Sequence, residues 1–255
     1  MNKQQKNKIP VNFIGLSGPI NLLNKLKNIL IDLNNLLHGI NYWCSDNLVV
    51  FSKTIGFLDD ENFISIVDKK IRHSDEKSLI WRTHILCFAG MNAMNLDGDF
   101  VECGVYMGYS VDVITDYLNF EKSRKFFYCY DLFEGKHYDG ITNNEKPIDY
   151  IRKRFSNKKY IKIIQGNIID TIEKNKPQKI SFLHIDLNSA IAEKITLEKL
   201  VPLVSIGGWV ILDDYGWINY KEQKKVADAY FNKHGLFIAE LPTGQGLVNI
   251  SKIIQ

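Results

Sequence analysis

Read for its apolar positions, the chain changes grammar near Asp97-Gly98. Before that point apolar residues fall at helical spacing. Leu22, Leu23, Leu26, Ile29, Leu33 and Leu37 recur every three or four positions after Pro19, and Gly39 supplies a stop. That pattern predicts a helix over 19–38. Shorter helical patterns follow at 59–70 and 74–95, the second with Ser74 at its N-cap position. Residues 1–97 are therefore expected to form an N-terminal helical region that serves as a lid, a dimerisation face or both.

From residue 98 onward short apolar runs alternate with helical segments. DFVECG (99–104), RKFFYCYD (124–131), YIKIIQG (160–166), KISFLHID (179–186) and GGWVILDD (207–214) predict five strands. Helices are predicted over 108–120 and 147–155. A third would carry Ala190, Leu197, Val201 and Val204 on one face, and a fourth would run from Asn219, with Glu222 three residues on, to Gly235. LFIAEL (236–241) and GLVNIS (246–251) close the chain as an antiparallel pair about a PTGQG turn. Such alternation predicts a parallel α/β sheet with helices on both faces over 98–255.

Composition narrows the function classes. Of the 255 residues 45% are hydrophobic and 24% charged, enough to build a core and too apolar for a disordered chain. Lys and Arg total 32 against 29 Asp and Glu, a net charge of +3, which argues against a nucleic-acid partner or an anionic membrane surface. No run approaches the ~18 apolar residues of a membrane span, so no membrane insertion is expected. The basic start MNKQQKNKIP leads into a stretch broken by Asn, Gly, Ser and Pro, which reads as a polar tail rather than a secretory signal. Four cysteines, Cys44, Cys87, Cys103 and Cys129, stand singly without metal-ligand spacing, as in a reduced cytoplasmic compartment.

Open α/β sheets bind ligands beyond the carboxyl ends of their strands, and acids collect at those ends here. The first strand ends in Glu102-Cys103-Gly104, the second in Asp131, the third in Gln165-Gly166-Asn167, the fourth in Asp186 and the fifth in Asp213-Asp214. Gly104 and Gly108 either let a ligand approach the backbone or pack a tight turn. The dinucleotide fingerprint G-x-G-x-x-G is absent, and Glu102 would repel a pyrophosphate but pair with an ammonium. Asp131 is either a ribose acceptor or a turn acid. Asp186, Asp213 and Asp214, at the ends of sequential strands, would repel one another unless a hard divalent cation, Mg²⁺ or Mn²⁺, sat among them; the alternative is a set of exposed loop acids or N-caps. His184 shares the face of Asp186 and is, with it, a base candidate; the alternative is a satisfied core histidine. Arg82, within WRTH (81–84), is either a phosphate-binding fork or part of a solvated face.

GDFVECGVYMG, YDLFEG, FLHID, LVSIGGWVILDDYG and LPTGQGLV stand in the order found in the class I S-adenosylmethionine-dependent methyltransferases, and they resemble most closely the macrocin O-methyltransferase (TylF/MycF-like) family. The resemblance covers about residues 75–251. It implies a Rossmann-like seven-stranded mixed sheet whose last strand is antiparallel. It further implies that Glu102 and Gly104 hold the methionine part of the cofactor, Asp131 the ribose and Gln165-Gly166-Asn167 the adenine region, with Ser110 also at the cofactor. Asp186, Asp213 and Asp214 would bind the cation, and Arg82 and Tyr215 would contact substrate. The expected reaction is methyl transfer to a sugar hydroxyl, on a nucleotide-activated sugar or a glycoside of a surface polysaccharide. One departure stands out: where many family members carry a second acid two residues after the first, this chain has Asn188. Two rivals are a non-catalytic adenosylmethionine-binding partner and a nicotinamide-dependent sugar oxidoreductase or epimerase. The leucine-rich helix near the start fits either a homodimer contact or packing on the chain's own core.

Overall fold

A computed structural model describes residues 19–36, 42–134 and 145–254; the N-terminal tail, Leu37 and Gly39 lie outside them. The chain divides into two units, Met1–His84 and Ile85–Gln255.

In the first unit, helix α1 (Ile20–Leu36) follows Pro19 as the leucine spacing predicts. The expectation of helices alone then fails, because Tyr42–Ser45 (β1) and Leu48–Phe51 (β2) form an antiparallel hairpin. Asp46 and Asn47 both take positive φ, 50° and 57°, in the two-residue turn whose twist suits a hairpin. Trp43 leaves that hairpin to meet the Phe57 and Trp81 rings edge-on at 5.9 and 5.2 Å. Helix α2 (Glu61–Lys70) begins where the Asp60 carboxylate accepts the Phe63 N–H at 2.9 Å. The segment expected as one helix from Ser74 opens instead as a 3₁₀ turn, Ser74–Leu79, with His73 at the N-cap; α3 spans only Ile80–Ala93. Glu76 accepts the N–H groups of Arg72 and His73 and so tightens that turn.

The second unit is a seven-stranded sheet. Strands β3 (Asp99–Cys103), β4 (Phe127–Asp131), β5 (Ile161–Gln165), β6 (Ile180–Ile185) and β7 (Val204–Leu212) run parallel, and β8 (Ala239–Glu240) and β9 (Gly246–Asn249) complete it. The order is β5-β4-β3-β6-β7-β9-β8, with β9 antiparallel to both of its neighbours. Helices α4 (Tyr109–Tyr117), α5 (Pro147–Arg154), α6 (Ile168–Asn175), α7 (Ala190–Leu200) and α8 (Lys221–Lys233) supply the flanking layers.

Period-two alternation sorts the central strands into two faces. On one face Phe127, Phe100 and Phe182 stand in register across β4, β3 and β6, with Phe100 and Phe182 stacked at 4.8 Å and Phe120 set against them. On the other, Val101, Leu183 and Val210 join Leu197, Leu200, Ala227 and Phe231 in the core beneath α7 and α8. Two residues past Phe100 and Phe182 on the first face come Glu102 and His184, again in register. The polar site is thus built on the continuation of a phenylalanine ladder.

Three details depart from expectation. Helix α6 was not anticipated: it is two turns long, buries only Ile168 and Ile172, and is capped by Asn167, which accepts the Ile169 N–H. Helix α7 stops at Leu200, and Pro202 falls in a 3₁₀ turn after it, so Val204 opens β7 instead of extending the helix face. Asn219 does not cap α8, which starts at Lys221 after a 3₁₀ turn over Ile218–Tyr220.

Candidate active site

A cavity of about 620 Å³ opens at the carboxyl ends of the strands, and its wall includes Gly104, Tyr106, Asp131, Asn167, Asp186 and Asn188. The turn after β3 explains its shape. Gly104 has φ +90°, and a Cβ there would fall 1.7 Å from the Asp186 carbonyl oxygen. Only glycine lets the ends of β3 and β6 approach this closely. Gly108 meets the same requirement against the Phe155 ring, at 2.6 Å. Both glycines therefore serve close packing around the turn, and Gly104 also lies on the cavity wall.

Asp131 holds that turn in place. Its Oδ2 accepts the N–H groups of Val105 and Tyr106 at 2.8 and 2.7 Å, and its Oδ1 accepts that of Phe133 at 2.9 Å. Gly166 and Asn167 stand on the same wall, whereas Gln165 is exposed and off it. Glu102 and Ser110 are off the wall as well. Ser110 donates to Glu102 Oε1 at 2.5 Å, and the other carboxylate oxygen, Oε2, is buried without a hydrogen-bond partner among the described residues. An orphaned buried carboxylate oxygen is destabilising unless a donor reaches it, and an ammonium group is a donor of the right charge.

His184 lies between two acids. Its Nδ1 is 3.5 Å from Glu102 Oε1 and its Nε2 is 3.4 Å from Asp213 Oδ1. Burial pulls the imidazole pKa down, but the charge of Glu102 and the contacts with Asp213 outweigh it and push the value up to about 10. The ring is therefore a buried cation at neutral pH. Only 3% exposed and off the cavity wall, the ring is held between two acids and is not presented to a ligand in the cavity.

Asp186, Asp213 and Asp214 come together as predicted. Each offers a carboxylate oxygen, and the three oxygens lie within 4.8 Å of one another. Asp213 Oδ1 also accepts the amide of Gln245 at 2.9 Å, and Gln245 in turn accepts the Thr243 hydroxyl at 3.0 Å.

The two substrate-contact candidates are corrected. Arg82 is buried in the first unit, where its Nε and Nη2 grip both oxygens of Asp46 at 2.6 and 2.8 Å. That bidentate fork ties the hairpin turn to the first turn of α3. Tyr215 is 7% exposed, donates its hydroxyl to Asp228 at 2.6 Å and packs in the core beneath α8.

Residues 101–215 match a family described as Methyltransferase domain. The fold is the Rossmann-like methyltransferase fold. Solved structures extend the likeness beyond that segment. The O-methyltransferase NovP shares 21% identity, with 69% of this chain and 82% of that one covered at a TM-score of 0.59. The apo structure of CalS11, a TDP-rhamnose 3′-O-methyltransferase of calicheamicin biosynthesis, shares 11% over 93% of this chain and 97% of that one, at 0.58. PaMTH1 of Podospora anserina, solved with SAH bound, shares 12% over 94% and 100%, at 0.55. At these identities the likeness is one of fold. No curated protein matches the sequence.

Within this methyltransferase fold, sequence reasoning missed Gln245 and Thr243. PTGQG reads as a turn and is one, since Gly244 has φ +84° and its N–H bonds the Leu241 carbonyl at 2.9 Å. The signal was the short polar pair inside a turn that returns to the sheet beside Asp213. Also missed was a charged knot between α4 and the end of α5. Asp112 takes Arg154 at 3.1 Å and Lys158 at 2.6 Å, and Lys158 reaches Asp116 at 2.6 Å.

Proposed function

We propose that the chain is an S-adenosylmethionine-dependent O-methyltransferase that uses Mg²⁺ or Mn²⁺ and acts on a sugar hydroxyl. The acceptor class we assign is a nucleotide-activated sugar or glycoside for a surface polysaccharide, and the compartment is the cytoplasm. One observation carries the reading: Asp186 belongs both to the cavity wall and to the three-carboxylate cluster. A cofactor-sized cavity and an acidic cluster thus share a residue.

The donor set fits a hard cation, being oxygen throughout with no thiolate or imidazole among the three residues. Asp186, Asp213 and Asp214 would hold it. When bound there, such a cation acidifies a coordinated hydroxyl and fixes its approach. Glu102 Oε2, buried and without a hydrogen-bond partner among the described residues, suits the ammonium of the methionine moiety. Asp131 keeps the turn that the ligand meets in one shape, which is pre-organisation. Asp186, half-buried and on the wall, is the residue we assign to take the hydroxyl proton at its carboxylate. The sugar assignment draws support from CalS11, whose fold this chain shares over most of its length.

The test is methyl transfer from S-adenosylmethionine to a panel of sugar nucleotides, followed by mass spectrometry with Mg²⁺ and with EDTA. Methylated product only with Mg²⁺ is expected. Turnover undiminished by EDTA would remove the cation from the reading, and transfer to catechols but not to sugars would replace the substrate class. We place a homodimer contact on α1, whose Leu22, Leu26, Ile29 and Leu36 are exposed at alternating four- and three-residue steps allowing for Leu33. Sedimentation of a Leu26→Glu variant as a monomer, against a wild-type dimer, checks it.

A further inference from the structure

The buried polar groups behind the cavity form one connected array. From the β3 side it runs Ser110, Glu102, His184, Asp213, Gln245 and Thr243, with each neighbour 2.5–3.5 Å from the next. Gln245 is fully buried and Thr243 is 4% exposed. Nothing in the chemistry of the Proposed function requires an amide there.

Its orientation is fixed by what it can and cannot bond. A carboxylate accepts and does not donate, so the amide must present its nitrogen to Asp213 Oδ1. The Thr243 hydroxyl donates to the amide oxygen and holds the opposite end. His184 Nε2 faces the same Oδ1 at 3.4 Å. One oxygen of Asp213 is therefore held by two groups from two different elements, which sets the rotation of the carboxyl plane and with it the edge turned toward Asp186 and Asp214.

The backbone carries the same design. The Gly216 N–H, two residues past Asp214, donates to the Gly244 carbonyl at 2.7 Å. A Cβ on Gly246 would press on Tyr215 at 2.8 Å. The turn bearing Gln245 is thus docked on the loop bearing Asp213 and Asp214, with glycine where the two touch.

We propose that Gln245, held by Thr243, is a positioning residue that acts through Asp213 to set the geometry and divalent-cation affinity of the acidic cluster. The inference rests on the metal-dependent reading above. Outer hydrogen-bond partners of metal ligands typically change metal affinity by about 10–100-fold when removed. Glu102 and its neighbours lie on the other side of His184, so SAH affinity should be untouched.

The experiment is calorimetric titration of Mn²⁺ into the full chain saturated with SAH, for wild type, Gln245→Leu, Thr243→Val, Asp213→Asn and the Gln245→Leu/Asp213→Asn double variant. Expected are a loss of Mn²⁺ affinity of about tenfold or more for Gln245→Leu and a smaller loss for Thr243→Val, with SAH affinity held within twofold in both (about 0.4 kcal/mol). In the Asp213→Asn background, Gln245→Leu should add nothing, which a merely structural role for the glutamine would not produce. If wild type binds Mn²⁺ and both single variants bind it equally well, the positioning role is overturned while the metal reading stands. If wild type binds no Mn²⁺, both fall. Should Gln245→Leu fail to bind SAH, and so prove misfolded, Thr243→Val decides alone.

Discussion

Two buried charge clusters sit in the methyltransferase-fold unit, and they differ in balance. In the first, Asp112 and Asp116 meet Arg154 and Lys158, two carboxylates against two cations, with Arg154 also donating to the Met107 carbonyl. In the second, Glu102 and Asp213 flank the imidazolium of His184, and Asp186 and Asp214 bring two further carboxylates. Burying a charge is unfavourable unless it is compensated. The first cluster compensates internally and serves as a strut between α4 and the segment after α5. The second sets four carboxylates around one imidazolium among the described residues, and Asp186 carries it to the cavity wall, where we propose that a cation binds. The two thus differ in the groups they gather and in whether they reach the cavity.

The largest effect that would break this contrast is on activity. Asp213→Ala should lower turnover by about 10³-fold, equivalent to about 4 kcal/mol of transition-state stabilisation, and should also lower the melting temperature, because the buried His184 ring and Gln245 amide lose the oxygen they share. Steady-state kinetics beside a thermal melt would read both; a variant as active as wild type would place the second cluster with the first.

Next comes the strut. Asp112→Ala leaves Arg154 and Lys158 buried without their shared partner and should cost about 3–5 kcal/mol in denaturant unfolding, with Mn²⁺ affinity unchanged. Arg82→Met should behave alike in the first unit by stranding Asp46, with no change in KM for substrate.

A buried acid outside both clusters sharpens the comparison. Glu193 has the neutral Gln223 amide as its hydrogen-bond partner at 2.9 Å, and burial pushes its pKa up to about 7 from the ordinary 4.5. The folded state then binds a proton that the unfolded state has released between those values. Glu193 therefore lowers stability as pH rises from about 4.5 to 7, and the loss is complete above that window. Glu193→Gln should raise stability at pH 8 by up to about 3 kcal/mol and flatten the profile. Denaturant midpoints measured at pH 5 and pH 8 would show it, and an unchanged pH slope would contradict it. The smallest effect belongs to a partly exposed pair: removing Lys77 from Asp68, 2.9 Å away, should change stability by less than about 1 kcal/mol.

The parallel sheet was legible because its strands are short apolar runs, most of them followed by acids, and that signal needs no tertiary context. Asp186, Asp213 and Asp214 could be brought together because sequential parallel strands are usual neighbours. What was hidden depended on partners far apart in the chain. Arg82 looked like a phosphate fork until its partner Asp46 appeared, 36 residues away at a hairpin turn. The hairpin itself was obscured because YWCS and LVVF are four residues each, too short for a reliable period. Tyr215 came from the resemblance alone, and the turn after β7 packs it into the core with its hydroxyl on Asp228. Gln245 gave only a turn signal, because its role lies in one hydrogen bond across 32 residues. His184 shared the face of Asp186, but its charge follows from Glu102 on the neighbouring strand, and only the register shows that.

The most direct test of the central claim, that the acid-rich cluster beside the cavity binds a divalent cation, is calorimetry in two stages. SAH is titrated into the protein with and without EDTA, and Mn²⁺ is then titrated into the SAH complex of wild type and of Asp213→Ala. The account predicts micromolar SAH binding under both conditions and for both proteins, with Mn²⁺ binding in wild type alone. Absence of SAH binding, or equal Mn²⁺ binding by Asp213→Ala, would contradict it.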